Sequence, residues 1–329
     1  MRSFGRIAFG LAAVLWVASA HAQSSASGPT ANALLTRIKI ATIGAPDLNK
    51  LKDWYTTWLG LKVREEGKVP AALAASWGAP KSAGKPYVMM SSDGSPDVFF
   101  RGVQIDAVPG YKPQTTLGWN SFEIIVDDIA KLDATLAKSP FTIVGHPHAL
   151  GSSGSFATIF AMQAIGPAGE MLYFTTETGD REKSTLPIPK AQVDRTFIFI
   201  LAGHDLEAMK KFYGEVFGMP GIPNFPSALT ATTTALGLPP STYQLSLVRA
   251  KERGSSIELD TYPLQAPPRP HAPGQLPPGN AMATFNVNSL DGLKVAYIKP
   301  PKALYGKNRA ASFIGPAGET VELIEEPRP

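Results

Sequence analysis

The stretch IGPAGETVELIEE, Ile314 to Glu326, decides how the chain is read, because IGPAGEMLYFTTE, Ile165 to Glu177, repeats its first six residues unchanged. In each copy Gly-Pro bends the chain and an apolar alternating run follows. Such alternation predicts a half-buried strand with every second side chain facing one way. The copies differ within that strand: Glu322 stands in the late copy where Tyr173 stands in the early one. The repeated turn reads as a mark of duplication, carrying fold information, with the chemistry left to the strand it launches.

A second repeat lies upstream of each copy. RIKIATIG, from Arg37, predicts a strand, and DLNKLKDWYTTWLGL after it predicts a helix. Leu48, Leu51, Trp54, Tyr55, Trp58 and Leu59 have helical spacing, Asp47 suits the N-cap and Gly60 the C-terminus. FIFILAG and DLEAMKKFYGEVFGM repeat the pattern, with Asp205, Leu206, Lys210, Phe212, Tyr213, Phe217 and Gly218 in matching places. These aromatics read as a stripe that docks each helix on a sheet. Two weaker units follow the same plan. Trp119 to Val126 predicts a strand before the helix DDIAKLDATLAK. AMATFNVNS, after Gly279, predicts a strand before a short, degraded helix, LDGLKVAY. Residues 37–180 and 193–329 thus form two halves of two modules each, joined by a linker at 181–192. Residues 263–279, dense in proline, predict a stiff extended connection inside the second half.

At 44% hydrophobic and 18% charged residues, the chain has the composition of a globular protein with a real core. The formal charge is +4, falling to about +2 without Arg2 and Arg6, and no basic run is visible. That excludes an electrostatic case for nucleic acid or an anionic membrane. Residues 1–22 predict a secretory signal peptide: Arg2 and Arg6, an apolar run over Ile7 to Ala18, and Ala20-His21-Ala22 before the cut. Residues 23–36 read as a flexible lead-in. The expected location is periplasmic or secreted, with no membrane attachment after cleavage. The sequence has no cysteine, so disulfides and thiol chemistry are excluded. Walker, G-x-G-x-x-G, H-E-x-x-H and G-x-S-x-G motifs are absent.

Strand, D-L-x-x-x-x-x-aromatic-Tyr helix and strands ending in GPAGETVEL (315–323) together resemble the vicinal oxygen chelate superfamily of glyoxalase I, bleomycin-resistance proteins and extradiol dioxygenases. The resemblance implies an α+β fold: four βαβββ modules forming two tandem glyoxalase-like domains, with curved mixed sheets enclosing cavities. It also implies a divalent metal held by His or Gln on first strands and Glu on last strands. Carried onto this chain, the last-strand position is Glu322 in the fourth module and Glu258 in the third, but Tyr173 in the second. SPDVFFRG in the first module offers no acid. The first-strand positions fall at Ile40, Ser121, Ile198 and Met282, none of them a usual ligand. No cofactor is therefore expected; if a divalent metal binds, Glu322 and Glu258 are its candidates. His204 reads as part of a surface turn or cap, and His271 lies in the proline-rich connection. His146 and His148 flank Pro147 and read as a polar loop.

If the third and fourth modules share one cavity, Glu258 and Glu322 face each other and form a catalytic acid/base pair. If the outer modules pair instead, the two are separated. Asp260 shares the face of Glu258 and reads as hydrated. Ser121, Glu123 and Tyr173 share an inward face and, with Phe100 and Arg101, form the expected lining for a small apolar or aromatic molecule. The functional expectation is an exported binder of a small organic molecule with metal-independent isomerase or lyase chemistry. The alternatives are sequestration without turnover and a metal-dependent lyase or dioxygenase with an atypical ligand set. The expected partner is that small molecule, the protein being a monomer or homodimer.

Overall fold

A computed structural model of the protein describes residues 32–326; the predicted signal peptide and most of the lead-in lie outside the described residues. The first module holds β1 (Leu35–Ala45), α1 (Leu48–Trp58), β2 (Lys62–Lys68), the short α2 (Ala71–Ser76), β3 (Pro86–Ser91) and β4 (Phe99–Gln104). The second holds β5 (Gly118–Val126), α3 (Ile129–Leu136), β6 (Thr142–Ala149), β7 (Ile159–Ile165) and β8 (Met171–Glu177). The third holds β9 (Val193–Gly203), α4 (Leu206–Phe217), β10 (Phe225–Ser227), α5 (Thr230–Leu236), β11 (Tyr243–Arg249) and β12 (Ser256–Thr261). The fourth holds β13 (Gly279–Val287), β14 (Lys302–Tyr305), β15 (Asn308–Ile314) and β16 (Thr320–Glu325). Asp47, Asp128 and Asp205 each cap a helix by accepting a hydrogen bond from a backbone N–H three residues on. The degraded helix expected at LDGLKVAY does not form: the chain there is irregular, and Gly292 sits at φ +80°, outside helical space.

The strands form two curved eight-stranded mixed sheets, and the fold is α+β. One sheet runs β14-β15-β16-β13-β1-β4-β3-β2 and joins the outer modules; the other runs β10-β11-β12-β9-β5-β8-β7-β6 and joins the inner ones. The sheets therefore do not follow the chain halves 37–180 and 193–329. The short link at 181–192 lays β9 antiparallel beside β5. Residues 105–117 and the proline-rich segment carry the chain from one sheet to the other, so β13 pairs antiparallel with β1. Of the two pairings the sequence left open, it is the outer modules that pair; Glu258 and Glu322 lie in different sheets, and the acid/base pair expected of them is corrected.

One apolar core fills the space between the two sheets and their helices, with Ile38, Phe100, Phe122, Phe199, Phe285 and Leu323 among its strand residues. Alternation turns the opposite face of each sheet into a separate cup. Among the described residues no helix is long and apolar enough to cross a membrane.

The IGPAGE turns lock this arrangement. In each copy the second glycine donates to the carbonyl of the first, 3.1 Å in both, and lies at φ +76° (Gly169) or +78° (Gly318), where glycine is favoured. The closing glutamate folds back over the turn and accepts from the alanine N–H: Ala168 to Glu170 Oε2 and Ala317 to Glu319 Oε2, both 2.8 Å. Its carboxylate occupies the place a Cβ at Gly166 or Gly315 would take, so a side chain there would have to displace the glutamate. Its other oxygen accepts from the tyrosine of a helix motif. Tyr55 of α1 donates to Glu170 Oε1 at 3.0 Å and Tyr213 of α4 to Glu319 Oε1 at 2.8 Å. Each clamp ties a helix packed on one sheet to a turn of the other sheet. The two sequence repeats thus meet as partners, and the repeated glutamate has a structural role beyond marking duplication.

Candidate functional site: two cups of different chemistry

In each module, register pairs one first-strand residue with one last-strand residue on the cup face. The pairs are Thr42 with Arg101, Glu123 with Tyr173, Ile200 with Glu258, and Thr284 with Glu322. These first-strand positions lie two residues beyond the expected Ile40, Ser121, Ile198 and Met282, on the same face. Four constellation positions fall in each cup, and the two sets have opposite character.

In the outer-module cup the four side chains bond to one another. Arg101 Nη2 donates to Glu322 Oε2 at 2.9 Å, and Nε and Nη2 donate to Thr42 Oγ1 at 3.0 and 2.8 Å. Thr284 Oγ1 donates to Glu322 Oε2 at 2.8 Å. Trp77, just after α2, donates from Nε1 to Glu322 Oε1 at 2.6 Å, while the Arg101 guanidinium stacks 4.5 Å from the centre of its ring. Tyr305, at the end of β14, donates to Glu322 Oε1 at 2.8 Å and accepts from Arg101 Nη1 at 2.5 Å. Side-chain exposure is 2% for Arg101 and 0% for Glu322, so this cup is sealed. Apolar side chains, among them Leu73, Met282, Ile40 and Ile324, pack around the network.

In the inner-module cup, acids collect instead. Glu123 (7% exposed) accepts from Thr175 Oγ1 at 2.5 Å. Asp260 (4% exposed) shares a hydrogen bond with Glu258, and its Oδ1 is buried without a partner. Glu258 and Tyr173 are the two members of this set that remain partly exposed. The Ser121 hydroxyl lies close enough to Tyr173 to oppose the rise of its pKa. Ser121 also accepts from Gln114 Nε2 at 2.8 Å. The Gln114 carbonyl in turn accepts from Tyr262 at 3.0 Å, and Thr232 of α5 donates to Tyr262 at 2.9 Å. Burial pushes Glu123 up to about 7, against the pull of the Thr175 hydroxyl. Burial likewise moves Asp260 up to about 7, where the bond from Glu258 lowers it and the Glu123 charge raises it. Glu258 is raised well above the usual carboxylate range by burial, then by the charges of Asp260 and Glu123. Burial and the same three acids push the Tyr173 phenol up, so it stays protonated. Near neutral pH this cup therefore holds neutral and ionised carboxyls side by side.

Comparison with known proteins found no matching family model, and no match among curated proteins. Solved structures do match. Glyoxalase I from Zea mays has 18% identity and a TM-score of 0.58, over 88% of this chain and 92% of that one. A provisionally assigned dioxygenase from Bacillus subtilis has 12% identity and a TM-score of 0.58, over 90% of this chain and 86% of that one. This is the glyoxalase fold. The likeness spans most of both chains and at these identities concerns architecture.

A divalent cation held at these positions would draw anionic or neutral donors from at least three protein side chains. The outer-module set does not fit: one of its four side chains is itself a cation, bonded to the single carboxylate. In the inner-module set, Ile200 has no donor atom. Among the described residues no three His, Cys, Asp or Glu side chains are gathered so as to hold a metal ion.

The glyoxalase fold thus brings Ser121, Glu123, Tyr173 and Glu258 into one cup and sets Arg101 and Glu322 in the other. Phe100 is corrected: it faces the core, 5.7 Å from Tyr55 in an edge-on contact, and lines neither cup. Arg101 is corrected as well, being locked in the sealed network rather than free to line a pocket. Asp260, expected to be hydrated, is buried beside Glu258. His146 and His148 lie on β6, an edge strand whose register slips between Gly145 and His148, as an edge proline permits. His146 pairs with Asp133 at 2.8 Å. His204 sits in the turn before α4, with Nδ1 3.4 Å from the Tyr262 carbonyl. Sequence reasoning missed Trp77, Gln114 and Tyr262, which reach the cups from segments between elements, and Tyr305 on the edge strand β14; none carries a motif.

Proposed function

We propose that the protein binds a small organic molecule, apolar or aromatic, in the inner-module cup, and exchanges protons with it through Glu258, Asp260 and Glu123 without a metal. The reading rests on one observation: three carboxyls gathered on one sheet face, Glu258 sharing a hydrogen bond with Asp260 and Glu123 near enough to raise both, with Glu258 and Tyr173 partly exposed beside them. Two coupled carboxyls with separated pKa values supply an acid and a base at the same pH. The ionised member takes a C–H proton, the electron pair stays on the ligand, and the neutral member returns a proton at another atom. The ligand is isomerised and the pair ends with its proton shifted from one carboxyl to the other. Tyr173, protonated and partly exposed beside Ser121, suits a hydrogen bond to a ligand oxygen with its ring against the ligand body. In this reading the protein acts outside the cytoplasm, after removal of the predicted signal peptide.

The test uses a panel of enolisable aromatic ketones and aldehydes, screened first by thermal unfolding and then incubated with the protein in deuterium oxide. Stabilisation of the protein together with deuterium on recovered ligand is the expected result, abolished by Glu258→Gln or Asp260→Asn. Stabilisation with no deuterium incorporation makes the protein a sequestering binder and removes the acid/base half of the proposal.

A further inference from the structure

We propose that the Arg101 guanidinium is the resident cation of the outer-module cup: this cup is a cation site filled by the protein's own side chain, and once vacated it takes a planar guanidinium ion. Five observations converge on this. The four register-paired positions of the cup are Thr42, Arg101, Thr284 and Glu322, and every one of them bonds within the set. The cation is held in the plane of its fork. Nε and Nη2 meet Thr42, Nη2 meets Glu322 Oε2, and Nη1 meets Tyr305. Trp77 stacks on the guanidinium face, a contact that favours a planar delocalised cation over a compact ammonium. The carboxylate is organised around it: Glu322 accepts from Arg101, Thr284, Trp77 and Tyr305, all at 2.9 Å or less. Ser312, paired in register with Glu322, adds a buried hydroxyl without a hydrogen-bond partner, a spare group on the same cup face.

A buried carboxylate stripped of its counter-charge is strongly destabilising, whereas replacing both partners with neutral groups is often tolerated. Arg101→Ala leaves the Glu322 carboxyl buried without its counter-charge and next to a space with guanidinium shape. The experiment is thermal unfolding of full-length Arg101→Ala with millimolar methylguanidinium, ethylammonium or sodium chloride at equal ionic strength. The variant is expected to melt about 10 °C below wild type. Methylguanidinium should recover most of that loss while the other two salts do little, and wild type should not respond. A variant that melts with wild type, or that all three salts restore equally, overturns the proposal. If Arg101→Ala yields no folded protein, the same question passes to Arg101→Met combined with Glu322→Gln. Folded double variant supports the proposal, because removing both charges relieves what removing one creates. A double variant as defective as the single refutes it.

Discussion

Replacing Glu319 by Gln tests the clamp that the repeated turn makes with a helix tyrosine. Glu319 is 2% exposed, and burial moves its pKa from 4.5 up to about 7, although the turn's backbone N–H groups and the Tyr213 hydroxyl pull it down. Because the folded value lies above the unfolded one, the folded chain binds more protons between those limits. Its stabilising contribution is complete below pH 4.5 and is lost as pH rises through about 7. Integrating between pH 5 and pH 8 assigns this one carboxyl a loss of about 2.5 kcal/mol. The replacement amide copies the protonated acid: its carbonyl can accept from Ala317 and its NH2 group can donate to Tyr213. Urea unfolding of wild type and Glu319→Gln across that range should therefore show the variant gaining on wild type by about 2.5 kcal/mol as pH rises. Tyr213→Phe removes a donor that favours the ionised form, so it should move the titration to higher pH. Parallel pH profiles for wild type and Glu319→Gln would refute the reasoning, since Glu319 would then have the same affinity for protons folded and unfolded.

Three further outcomes follow from the cups. Trp77→Phe keeps a ring against Arg101 but removes a buried donor to Glu322, so it should destabilise by about 1–3 kcal/mol in urea unfolding; a change of only a few tenths would show that Glu322 does not depend on that bond. Tyr173→Phe keeps the ring of the inner-module cup and loses its hydroxyl. It should weaken ligand binding by about tenfold in calorimetry while leaving the melting temperature within a few degrees, and unchanged affinity would remove the hydroxyl from recognition. Deuterium incorporation into a bound ligand should peak near neutral pH. Below about 7 Asp260 and Glu123 protonate and the base is lost; well above it Glu258 ionises and the acid is lost. A rate independent of pH would separate the reaction from these carboxyls.

Much of the fold was legible because duplication writes it twice. The aspartates that begin α1 and α4, the aromatic stripe along each helix and the Gly-Pro turns are local signals, and each matches an element formed mainly by nearby residues. Sheet pairing was not legible in the same way. β1 meets β13 and β5 meets β9 through long-range edges whose apolar alternation suits either partner, so the sequence left the location of Glu258 relative to Glu322 open. Within the inner-module cup, Ser121, Glu123, Tyr173 and Glu258 were each readable from strand alternation and came together. Arg101 was readable as a cup-facing residue too, but its counter-charge lies 221 positions later, across the sheet, and its ring partner comes from a segment with no motif. Phe100, one residue along β4, went to the core because alternation gives neighbours opposite faces. Glu170 and Glu319 carried a readable signal that periodicity does not weigh. Both copies of the turn keep the glutamate, and both helices keep the tyrosine it binds.

A crystal structure with a ligand from the carbonyl panel bound addresses the account most directly. The account expects the ligand in the inner-module cup, against Tyr173 and within hydrogen-bonding reach of Glu258, with the Arg101–Glu322 pair of the other cup intact. A ligand seated between Trp77 and Tyr305, with Arg101 displaced from Glu322, would contradict it.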